Sequence, residues 1–408
     1  MSWLIRDVEL ADSTTAVDIR LEGDKITEVG SALPARGETE VDGHGAALVP
    51  GLHDHHIHLR GAAAARESVD CTRGLEVLRG SRAARIRAVG AGVSVDRHIL
   101  DHIVPDRPVR VQHRSGALWM LNTAALAELE PLPHLPGVER DSNGAPTGRL
   151  WRLDELLRGT WPARGDLRAL GQELTGYGIT GVTDATPGLT ETPRLLPQRV
   201  ALLGERKLLL HDHDLPSYHD LLHRVHALHR RGLPVAVHCV TRVSLLLTLA
   251  VFDEIGTLPG DRIEHGAVVP DPVALRGLTV VTQPGFVAVN RERYVTEVDP
   301  EDLPHLYPYA SLLAAGVHTL PSSDAPYGPL DPWAIMRAAS TRELGPHERV
   351  SVRTVFEGYL HDGSLQPRTV SAGAPADLLL LGAPLGEALD APDPSLVRHV
   401  WIGGQRVC

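Results

Sequence analysis

Short apolar runs that stop on a polar residue recur through the middle of the chain and alternate with stretches of helical periodicity. The runs at 178–184, 207–210, 234–238, 262–265, 279–284 and 316–324 read as strands, and their alternation with helices is the rhythm of βα units. Nearly every run closes on a residue able to bind a metal or a substrate, among them Asp184, His238, His265, Gln283 and Asp324. The two ends of the chain have a different texture. Residues 3–5, 17–21, 25–29 and 40–42 form brief strands separated by turns such as Glu22-Gly23-Asp24, and similar strands return at 376–381 and 399–407. One small β-domain drawn from both termini is expected beside a central body.

At 408 residues the chain is long for one compact domain unless that domain is an α/β barrel. The expected fold is therefore a (β/α)8 TIM barrel over 51–365 with a small β-sandwich formed by 1–50 and 366–408. Residues 89–96 are too short to assign as a second barrel strand, and 131–146 reads as a Pro/Gly-rich loop. A formal charge of −11 argues against nucleic-acid or anionic-membrane partners and permits a soluble homodimer. Three unpatterned cysteines, Cys71, Cys239 and Cys408, indicate neither a disulfide framework nor a thiolate metal site. With no leader-like start and no apolar run long enough to span a bilayer, a cytoplasmic protein is expected.

The candidate chemistry begins at 48–59, where an apolar run reaches Pro50-Gly51 and then places histidine at 53, 55, 56 and 58. Two histidines one residue apart on a strand face the same way, so a pair can grip one ion. His53/His55 and His56/His58 point to opposite faces, and a third pair, His211/His213, lies further on. The chain has 38 arginines and only two lysines, Lys25 and Lys207. Where arginine serves as the general positive charge, a retained lysine is a candidate for chemistry that needs an amine. Lys25 sits in an exposed turn; Lys207 opens a strand.

Pro50-Gly51-x-x-Asp54-x-His56-x-His58, then Lys207, His238, His265 and Asp324 in that order, resembles the amidohydrolase superfamily. Flanking stretches at 178–184, 262–266, 323–326 and 373–378 are similar to its family 3 branch. The resemblance selects His56/His58 as the working pair. It implies a metal-dependent hydrolase that cleaves an amide or cyclic amide C–N bond, with ester, lactone or phosphoester hydrolysis as the alternative for the same site. It implies one or two divalent ions, zinc first among them, with His56, His58 and Asp324 at one and His238 and His265 at the other. Lys207 would carry a carboxylate from CO2 and bridge the two. Water activated there would be the nucleophile, and Asp324 would take its proton and pass it to the leaving nitrogen. Substrate contacts of a small-molecule substrate are expected from His113, Arg114, Trp119 and Gln283, and second-shell contacts are weighed against a solvated loop for 211–214.

Overall fold

The computed structural model describes residues 2–408 except 12, 155, 158–164 and 211–213. The chain folds as two compact units, residues 59–167 and the remainder. Among the described residues no helix is long and apolar enough to cross a membrane.

In the larger unit both termini enter one eight-stranded sheet. The strand Ala47–Pro50 pairs on one side with Ser2–Leu10 and on the other with Leu378–Leu381, which continues to Val397–Ile402. Trp3 and Trp401, from opposite ends of the sequence, meet edge to face in its core at 6.0 Å. Both ends of the chain thus contribute strands to one sheet.

The same unit contains two parallel sheets, whose strands we number in chain order. β1 (Leu52–Ile57), β2 (Ile179–Pro187) and β3 (Arg199–Gly204) form one, with β2 in the middle. β4 (Lys207–Leu208), β5 (Ala236–Cys239), β6 (Arg262–His265), β7 (Thr279–Thr282) and β8 (His318–Pro321) form the other in sequence order. Their period of two separates a helix-facing set from an inward set. Val237, Ile263 and Val280 pack with Leu221 and Val225 of the helix Tyr218–His229 and with Leu245 and Val251 of the helix Arg242–Ile255. His238 and Glu264, the next residues along, therefore face the other way.

Two features differ from the sequence expectation. The strand directly beside β1 is β2, while the 89–96 region belongs to the smaller unit. And β3 reaches β4 through Glu205 and Arg206 alone, far fewer than the dozen or so residues that a crossover between parallel strands requires. β3 and β4 are accordingly two segments of one passage of the chain, the first pairing with β2 and the second with β5.

The smaller unit has its own six-stranded sheet, in which Val109–His113 pairs in parallel with Ile86–Ala91 on one side and antiparallel with Leu118–Leu121 on the other, and its own core of Ile86, Leu100, Val109, Val111 and Met120. The Pro/Gly-rich stretch 131–146 contributes Val138–Arg140, which pairs with Pro146–Trp151.

Gly51 enters β1 under the Thr180 side chain, leaving no room for a Cβ. Gly51→Ala should lower the unfolding free energy by about 1–3 kcal/mol through overpacking. Gly176→Ala, where an added methyl meets nothing within 4 Å, should stay within about 1 kcal/mol of the parent. Urea denaturation of both variants checks the contrast.

Candidate metal centre

Strand β1 is buried along its whole length, so its alternation decides which histidines reach the interior site. His53 bonds Thr183 Oγ1 at 2.9 Å and His55 bonds the Gly358 carbonyl at 3.1 Å. His56 turns the other way, to Lys207, Glu264 and Asp324. The pairs separate as a strand requires, and both nitrogens of His56 meet side chains from other strand ends.

His56 Nε2 and His58 Nε2 converge on Asp324 Oδ1, at 3.5 and 3.3 Å. One ligand atom from each of the three residues lies within 4.8 Å of the others, the grouping a single metal ion needs. Asp324 Oδ1 is buried and makes no well-directed hydrogen bond, so its lone pairs are left for another partner. Burial would raise the Asp324 carboxyl, but His56, His58 and His265 outweigh it and hold the group well below the usual carboxylate range.

The remaining candidates stand around this group. Lys207 Nζ is 3.3 Å from His56 Nε2 and 4.0 Å from Glu264. The His265 ring lies 5.0 Å from that of His56, and His238 sits edge-on to His265 at 4.4 Å. All six sequence candidates thus collect at the strand ends, with His56, His58 and Asp324 in the tight group. Burial lowers the Lys207 amine to about 8. Burial first, and then the Lys207 charge, drops His56 to about 3, so its ring is neutral and able to ligate.

Each of three rings has its Nδ1 occupied. His56 Nδ1 meets Glu264, His58 Nδ1 lies 3.4 Å from Thr186 Oγ1, and His265 Nδ1 lies 2.8 Å from Gln283 Oε1. Gln283 donates through Nε2 to Ser322 Oγ at 3.0 Å, so its oxygen faces His265 and Nδ1 of that ring carries the hydrogen. Gln283, a substrate candidate from sequence, is fully buried with both ends of its amide engaged.

His113, Arg114 and Trp119 belong to the smaller unit. There His113 Nδ1 bonds Ser115 Oγ at 2.9 Å and Arg114 is exposed. Trp119 is buried, donates to Asp154 at 2.8 Å and has the guanidinium groups of Arg87 and Arg110 at 5.4 and 5.1 Å from its ring. His211, Asp212 and His213 lie outside the described residues.

Sequence reasoning assigned no role to Glu264 or Arg262, although both sit in the motif it used. Glu264 is fully buried against Arg262 and His56. Burial alone would raise its carboxyl; Arg262, Lys207 and His56 hold it well below the usual range instead. The signal available was the spacing of Arg262 and Glu264, two opposite charges one residue apart and so on one face of a short strand.

Backbone geometry fixes the ends. His265 and Asp324 both have positive φ, 70° and 50°, strain that packed surroundings must hold. Asp54 supplies part of that hold, accepting from Ser323 N at 3.0 Å, from Ser323 Oγ and from His56 N at 3.2 Å. Asp324 N and His58 N donate across to the His56 and Ala325 carbonyls at 2.8 and 2.9 Å, which locks the end of β1 to the turn after β8.

Burial raises the Asp54 carboxyl to about 6 despite those bonds. The folded state therefore binds this proton more tightly than the unfolded chain, and the contribution of Asp54 to stability rises as pH falls from about 6 to about 4. In metal-free protein the wild type should gain about 2–3 kcal/mol relative to Asp54→Asn across that window. Urea melts of the two proteins at several pH values measure the difference.

A family profile described as the amidohydrolase family matches residues 39–408. An N-substituted formamide deformylase from Arthrobacter pascens is 24% identical, with 92% of each chain covered. An uncharacterized metal-dependent hydrolase from Pyrococcus furiosus superposes with a TM-score of 0.73 at 18% identity, covering 97% of this chain and 100% of that one. A guanine deaminase from C. acetobutylicum gives 0.57 at 13% identity over 100% of both. With the profile running through every strand end that bears a candidate ligand, the chain belongs to the amidohydrolase family.

Proposed function

We propose that this chain is a metal-dependent hydrolase that cleaves the C–N bond of an amide or cyclic amide. The observation that carries the reading is the convergence of two imidazole nitrogens on a buried carboxylate oxygen to which neither makes a well-directed hydrogen bond. His56, His58 and Asp324 would hold one divalent ion, zinc first among the candidates, and His238 and His265 would hold a second. When bound, such ions supply Lewis acidity that brings the ionisation of water toward neutral pH and polarises a carbonyl. The two parallel sheets and the bonds joining the end of β1 to the turn after β8 support a barrel of the (β/α)8 type, shortened where β3 runs into β4. The terminal sheet would be the small β-domain beside it.

The chain's own residues divide the remaining work. Asp324 Oδ1 faces the two imidazoles, which leaves Oδ2 to accept a proton from the attacking water and return it to the leaving nitrogen. Lys207, neutral in part because burial lowers its amine, would add to CO2. In that step an N–C bond forms, an N–H proton is released and the side chain becomes an anionic carbamate. That anion would stand close to Glu264 and Asp324, and three buried anions are tenable only with cations between them. Labelled bicarbonate should therefore enter Lys207 only when a divalent metal is supplied with it. A carbon-13 carbamate signal in metal-free protein would contradict this.

The substrate to try first is an N-substituted formamide, because the formamide deformylase aligns over 92% of this chain. Cyclic amides and matched esters complete the screen. Elemental analysis should find two ions per chain falling to one or fewer in Lys207→Ala. Asp324→Asn should lose about 10²–10⁴-fold in amide hydrolysis. A chain with no bound divalent metal, or one that cleaves only the esters, overturns the reading.

A further inference from the structure

We propose that Glu264 is a positioning residue that sets how tightly the site holds its metal, by fixing the His56 ring with Nδ1 protonated and Nε2 turned inward, while Arg262 holds the carboxylate in place. The inference rests on the metal reading above and concerns a residue outside the group that would hold the ion. A carboxylate paired with a guanidinium can only accept, so the hydrogen between Glu264 and His56 sits on Nδ1. The lone pair of Nε2 then points to Lys207 Nζ, 3.3 Å away, and Asp324 Oδ1, 3.5 Å away.

Comparison with the neighbouring rings sharpens the point. His58 and His265 have their Nδ1 atoms tied by neutral groups, Thr186 and Gln283. Among these three rings His56 alone has its Nδ1 hydrogen-bonded to an anion; the carboxylate nearest Nδ1 of His265, Asp324 Oδ2, stands 3.8 Å away, beyond hydrogen-bond reach. An anion on Nδ1–H makes Nε2 a stronger donor, and orienting partners of this kind typically contribute 10–100-fold to metal affinity.

Glu264 does not depend on the metal for its place. Arg262 binds it through Nε and donates through Nη2 to the His55 carbonyl at 2.7 Å, on the strand that carries His56. The guanidinium thus ties β6 to β1, and the carboxylate is delivered to the ring by two backbones. A tie of that kind presets the ligand geometry before the ion arrives.

Two variants separate this role from plain structural support. Glu264→Gln removes the charge but leaves Arg262 buried against a neutral amide. The double variant Arg262→Gln with Glu264→Gln replaces the ion pair by an amide pair of similar reach. For each, the zinc dissociation constant is read by chelator competition, the unfolding midpoint on metal-free protein, and the His56 tautomer by nitrogen-15 NMR. Both variants should bind zinc about 10–100-fold more weakly. The midpoint should fall in the single variant and recover in the double one. If zinc affinity also recovers in the double variant, the ion pair acts only through stability and the proposal fails. Wild-type protein that bound no zinc would overturn the metal reading itself, and this inference with it.

Discussion

A carboxylate sealed from water must be given its partners by the protein, and Glu264 obtains two cations, Arg262 and, at 4.0 Å, Lys207, together with the hydrogen bond from the His56 ring. Desolvation opposes its charge, and those neighbours reverse the balance. The consequences run outward. Arg262 is spent on Glu264 and on the His55 carbonyl, so β6 and β1 cannot slide against each other without breaking a buried ion pair. His56 is then held from behind, and Lys207 and Asp324 meet its free nitrogen in front. Removing Glu264 would leave an unpaired buried guanidinium and an unconstrained ring at the same time.

The opposite side of the site is built from backbone. Asp54 grips Ser323 and the His56 amide, and the adjacent amides of His58 and Asp324 pair across with the carbonyls of Ala325 and His56. Positive φ at Asp324 and His265 aims both side chains in directions that ordinary strand geometry would not allow. Such strain persists only where surroundings over-determine it. Asp54 is the residue whose own electrostatics suffer for it, since its carboxyl is raised toward 6 by burial.

Much of this was legible in the sequence because it depends on short-range rules. Strand endings on His238, His265 and Asp324 marked where chemistry would collect, and the period of two separated His53 and His55 from His56 once the frame was chosen. Strands from both termini were legible from short apolar runs separated by turns such as Glu22-Gly23-Asp24, and they meet in one sheet. The role of Glu264 was not, because it depends on a partner 208 positions away and on the absence of water, neither of which a local pattern carries. The smaller unit escaped notice for a related reason: its strands have the same apolar texture as those of the larger one, and only pairing assigns Ile86–Ala91 to a separate sheet. The continuity of β3 and β4 could have been read from the two residues between them, had strand 199–204 been recognised.

Composition raised Lys207 as a candidate, yet composition treats Lys25 and Lys207 alike. Their surroundings separate them. Lys25 is exposed at the start of a surface strand, where arginine would serve equally well. Lys207 is buried beside Glu264, where Arg262 shows that a guanidinium can be accommodated as a charge partner. If position 207 required only a positive charge, arginine would meet the need in a chain that otherwise uses it almost everywhere. A guanidinium stays protonated under these conditions, whereas a desolvated amine can shed its proton. The retention of lysine at this one buried position therefore points to chemistry that begins with a neutral nitrogen, which is the property the proposed carbamate needs.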